Sequence, residues 1–65
     1  MQYGKLAKEN GVELPLEVLA SGAGYYLGTM SEDGPFTRES KEYWTIKTNA
    51  EKALETGVWT QKPSP

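Results

Sequence analysis

Tyr25, Tyr26, Arg38, Tyr43 and Trp44 are the residue types from which a binding surface is built, because Tyr, Trp and Arg anchor most interface hot spots. Two Trp, four Tyr and one Phe in 65 residues are more rings than one small core can hide, so some must stand at the surface. The same rings could stack single-stranded bases at ~1 to 3 kcal/mol per base, with Arg38, Lys41 and Lys47 supplying positive charge. Glu39 and Glu42 flank those cations, however, and nucleic-acid surfaces carry a basic excess, which favours a protein partner.

A second set, Glu32, Asp33, Glu39 and Glu42, could supply the paired carboxylates of a glycoside hydrolase or the oxygens of a cation site. Hydrolysis needs the two carboxyls set across a substrate cleft, and a chain of this length has little room for one. The spacing does not match a calcium-binding helix–loop–helix. The chain has no His and no Cys, which removes thiolate and imidazole metal ligands and the nucleophile–histidine routes to catalysis. These residues therefore predict no enzyme, no cofactor and no metal. The net charge of −2 is too mild to point to a phosphate backbone or an anionic surface.

The elements that must position the aromatics can be read in outline. The period-two run from Leu14 to Ala20 is imperfect and carries Pro15 near its start, which suits an edge segment. Tyr25-Tyr26-Leu27-Gly28-Thr29-Met30 reads as a strand with Tyr25, Leu27 and Thr29 on one face and Tyr26, Gly28 and Met30 on the other. Ser31 to Pro35 has the composition of a turn, and Tyr43 to Ile46 reads as the returning strand. Thr48-Asn49-Ala50-Glu51 matches a capping box and predicts a helix that stops at Gly57. Val58 to Thr60 follows as a short extended segment that lays Trp59 against the sheet.

This order predicts an α+β fold, a small antiparallel hairpin or three-stranded sheet covered by one short helix. The hairpin pairs Gly24 to Met30 with Glu42 to Lys47, and Asn49 to Thr56 covers it. Residues 14–60 form the single domain. Residues 1–13 form a mobile N-terminal arm that orders only if it docks, and 61–65 a mobile tail. The N-terminus has no apolar run of signal-peptide length, and Leu14 to Ala20 is broken by Pro15 and Glu17, so the expected location is cytoplasmic, with no membrane partner.

Gly24-Tyr25-Tyr26-Leu27-Gly28-Thr29, then Gly34-Pro35-Phe36-Thr37-Arg38-Glu39-Ser40, then Ala50 to Gly57 and Trp59-Thr60-Gln61 resemble small uncharacterised proteins encoded by plasmids, phages and chromosomal islands of enteric bacteria. The resemblance covers roughly the C-terminal two-thirds. It implies a bacterial mobile-element context and carries no functional residue onto any position. The resulting expectation is a non-enzymatic accessory protein that binds another protein or itself as a homodimer; the alternative is weak single-stranded nucleic-acid binding through an aromatic sheet face.

Overall fold

Two hairpins built on the same turn chemistry make the sheet. Ser21-Gly22-Ala23-Gly24 and Ser31-Glu32-Asp33-Gly34 each place two residues between a Ser and a Gly that face one another across the strands. In each, the Ser hydroxyl accepts the backbone N–H two residues on, from Ala23 or Asp33, and donates to the carbonyl of the Gly. Gly24 and Gly34 hold φ of +125° and +118°, a region that side chains with a Cβ avoid. The turn residues thereby fix the register of both strand pairs.

The computed structural model describes residues 2–64. The strands are β1 (Glu17–Ser21), β2 (Gly24–Ser31) and β3 (Gly34–Arg38), an antiparallel meander in the order β1-β2-β3. Two helices accompany it, α1 (Lys5–Glu9) and α2 (Lys47–Thr56). This is the expected α+β class, with the three-stranded form of the sheet. A register shift between Thr29 and Met30 bends β3 at its pairing with Pro35.

The partner of β2 differs from the expected one. Residues 42–47 form no strand, and Trp44 only exchanges backbone hydrogen bonds of 2.7 and 2.8 Å with Tyr25. The returning strand is β3, because the two-residue turn lets pairing restart at Gly34 and an edge strand tolerates Pro35. Its polar residues are absorbed by pairing: the Thr29 and Thr37 hydroxyls meet at 2.5 Å. Helix α2 also begins earlier than the capping box predicts. Ile46 occupies the N-cap with no side-chain cap bond, so Thr48 and Glu51 lie inside the helix. Its stop is as expected, with Gly57 at φ +76° donating its N–H to Ala53.

Leu16, Leu27 and Ala50 form the core, with Val18, Tyr25, Trp44, Leu54 and Trp59 packed around them. The face of β2 that carries Tyr25, Leu27 and Thr29 is thus covered by α2 and the two Trp. The N-terminal segment docks beside it. Gly4 donates to Leu14, Leu16 donates to Gln2, and Leu6 and Ala7 are fully buried. In the 61–65 segment, Gln61 donates to the Glu39 carboxylate and Lys62 to the Glu39 carbonyl. The outermost residues of arm and tail, Met1 and Pro65, lie outside the described residues.

Candidate functional site

Helix α2 packs on the face of the sheet that carries Leu27, and the opposite face is met by Tyr43 from the 39–46 segment and by no part of α2. Strand alternation puts Leu19 of β1, Tyr26 and Met30 of β2, and Phe36 and Arg38 of β3 on this open face. Tyr26 faces Leu19 across the first strand pair, and Gly28 faces Arg38 across the second. A Cβ at Gly28 would stand 2.9 Å from the Tyr26 ring and 2.3 Å from the Thr37 carbonyl oxygen, so only glycine lets this ring lie flat along the strand.

Tyr43 closes over the centre. Its ring meets Tyr26 edge-on, with centroids 5.9 Å apart and planes at 71°. The Arg38 guanidinium lies 4.7 Å from the centre of the Tyr43 ring and donates to the Tyr43 hydroxyl. Tyr26 and its register partner Leu19 are only 8% and 6% exposed, while Met30, Phe36 and Tyr43 keep 41%, 43% and 39% of their surface in water. The Arg38 Nε–H is buried without an acceptor. The open face therefore has a well-packed polar-aromatic centre and an apolar margin at the β2–β3 end.

Of the five residues predicted to form the interaction face, the structure brings Tyr26, Arg38 and Tyr43 together. Tyr25 and Trp44 lie against the helix-covered core, half-buried. Met30 and Phe36 belong to the open face and were not among the predicted residues. Alternation along β2 puts Met30 on the face of Tyr26, whereas the place of Phe36 depends on the pairing of β3 with β2.

The carboxylates take different roles. Glu32 and Asp33 are exposed at the tip of the β2–β3 turn. Glu42 accepts the Thr60 N–H at 3.0 Å with both oxygens. Glu39 is fully buried and accepts from Leu6 and Ala7 N–H at the start of α1, from the Thr37 hydroxyl at 2.6 Å and from Gln61 Nε2 at 2.7 Å. None of these donors is a cation. Burial acts to raise the Glu39 pKa, yet the hydrogen bonds from Leu6, Thr37, Gln61 and Ala7 together outweigh it and hold the carboxyl below its ordinary value. Since Thr37 spends its proton on Glu39, the Thr29 hydroxyl must donate to Thr37. Glu42 is lowered too, burial again opposing and the Thr60 donors prevailing. Among the described residues no three His, Cys, Asp or Glu are grouped to hold a metal ion, and no helix is long and apolar enough to cross a membrane.

Compared with known protein families, curated proteins and solved structures, the chain matches none of them.

Proposed function

We propose that the protein is a non-enzymatic, cytoplasmic accessory protein of a bacterial mobile element that acts by binding another protein through its open sheet face. The observation that carries this reading is the grouping of exposed Met30, Phe36 and Tyr43 around the Arg38–Tyr43–Tyr26 stack. A rigid, prestacked centre loses little side-chain entropy on association, and aromatic, Met and Arg side chains are the ones enriched in interface cores. The resemblance to proteins of plasmids, phages and chromosomal islands supports the cellular context alone.

Isotopically labelled protein added to bacterial lysate tests the reading by NMR. Line broadening confined to Leu19, Met30, Phe36, Arg38 and Tyr43, little changed by added salt and abolished by Phe36→Ala, is the expected result. Unchanged spectra would refute it. Shifts at the same residues with single-stranded DNA that vanish steeply as salt rises would replace it with nucleic-acid binding.

A further inference from the structure

The two edges of the sheet are treated differently. The β3 edge carries Pro35, a register shift and Arg38, and the chain just beyond it is covered where Ser40 pairs with Gln61. These are the devices by which proteins keep an edge from pairing with another chain. At β1 such devices stop at its first residue: Pro15 and the cover that Tyr3 gives it lie before the strand, and Glu17 is its first residue. From Val18 to Ser21 it carries no charge and no proline, Ala20 and Ser21 are exposed, and Glu17 is its only ionised residue.

The hydrogen bonds on β2 show which groups of β1 are free. In an antiparallel strand each residue sends its N–H and C=O to the same side, and successive residues alternate. Tyr25 exchanges its pair with Trp44, and Leu27 bonds to Ser40 and Glu39, so both point away from β1. Gly24, Tyr26 and Gly28 therefore point toward β1 and bond to Ser21, Leu19 and Glu17, their partners in register. The intervening Val18 and Ala20 must direct their N–H and C=O outward, off the edge of the sheet.

We infer that β1 is a self-pairing edge, at which two copies of this chain join antiparallel about a twofold axis at Leu19. In that register Val18 and Ala20 of one copy exchange backbone hydrogen bonds with Ala20 and Val18 of the other. All five residues of β1 find a partner. Glu17 falls opposite Ser21 of the second copy, so no like charges meet, and Val18, the larger side chain, falls opposite the smaller Ala20. Shifting the register by two residues leaves part of each strand unpaired. The join makes one continuous six-stranded sheet and sets the two open faces side by side, with Leu19 next to Leu19. This inference deepens the protein-binding reading by naming a second copy as a partner, but it uses the edge and not the face, so either can fail alone.

Sedimentation across a concentration series, with backbone amide exchange measured on the same full-length samples, tests it. The expected result is a dimer whose Val18 and Ala20 amides slow as concentration rises, with Leu19 protected throughout. Ala20→Pro removes one outward donor without touching the β1–β2 bonds, and it should weaken the dimer about tenfold or more while leaving the monomer folded. A monomer at concentrations of about 1 mM would overturn the inference, as would a dimer in which Val18 and Ala20 exchange fast at every concentration. Should Ala20→Pro fail to fold, the amide exchange of the unaltered chain decides. Phe36→Ala should leave the dimer unchanged, whereas the reading of the open face fails if that substitution does not affect lysate-induced broadening.

Discussion

Glu39 shows what one buried residue must do in a chain too short for a large core. Its carboxylate replaces the missing cap of α1, whose N-cap is Gly4 with no local side-chain bond, and it holds Gln61 from the other end of the chain. Glu39→Gln puts an amide NH2 against donors that need an acceptor, and should cost about 2 to 4 kcal/mol in urea unfolding. The pH dependence follows from the direction of the shift. A carboxyl held below its ordinary 4.5 in the folded state stabilises the fold fully above that value and loses the contribution as pH falls through the lower folded value. Acid unfolding of the natural chain should thus be steep below about pH 4.5, and Glu39→Gln should flatten it, leaving the smaller share that Glu42 supplies. Stability equally steep in the variant would show that other carboxyls carry the effect. Gly4 belongs to the same site: an added Cβ would stand 2.3 Å from Thr29 Cγ2 and 2.7 Å from Glu39 Oε2. Gly4→Ala should therefore destabilise by about 1 to 3 kcal/mol, as overpacking does in cores. Nothing in the local run Thr37-Arg38-Glu39-Ser40 distinguishes this glutamate from a solvated loop residue, because every one of its partners but Thr37 is distant in sequence.

At the scale of elements, the sequence is legible where local chemistry decides and misleading where tertiary contacts do. Strand β2 and the stop of α2 were readable from β-branched and aromatic residues and from Gly57. The start of α2 was not. The capping box at Thr48 is sound as a local pattern, yet the chain leaves Trp44 in an extended conformation tied to Tyr25, and the helix starts as soon as Ile46 is passed. Two substitutions separate the readings. Thr48→Ala should change stability by less than about 0.5 kcal/mol, whereas a working N-cap would cost about 1 kcal/mol. Gly57→Ala, which must adopt φ +76°, should cost about 1 kcal/mol. β3 carries no local strand signal, because its inward hydroxyl, Thr37, is satisfied only by Thr29 across the sheet and by Glu39. Phe36 and Arg38 reach the face only through this pairing of β3 with β2.

At the scale of the whole molecule, a domain of about 60 residues buries only about 60% of the surface its unfolded chain exposes, so its segments must share supports. The structure does this by bringing the beginning and the end of the chain to one carboxylate. Leu6 donates to both oxygens of Glu39, Ala7 to Oε2 and Gln61 to the Oε1 it shares with Leu6, while Lys62 donates to the Glu39 carbonyl. Coupling between segments more than fifty residues apart follows from this arrangement. Gln61→Ala removes no group that bonds to α1, yet it takes from Glu39 Oε1 the donor it shares with Leu6 and loosens the loop that carries it. Amide exchange at the α1 end of the chain, at Lys8 and Asn10, should therefore quicken several-fold in Gln61→Ala, through local opening of α1. Leu19 and Tyr26 in the β1–β2 pair should exchange at the natural rate, since their hairpin is fixed by its own turn. Faster exchange at all four positions would mean that the substitution lowers global stability alone. Unchanged exchange at Lys8 and Asn10 would mean that α1 is held by the burial of Leu6 and Ala7, with Glu39 contributing little.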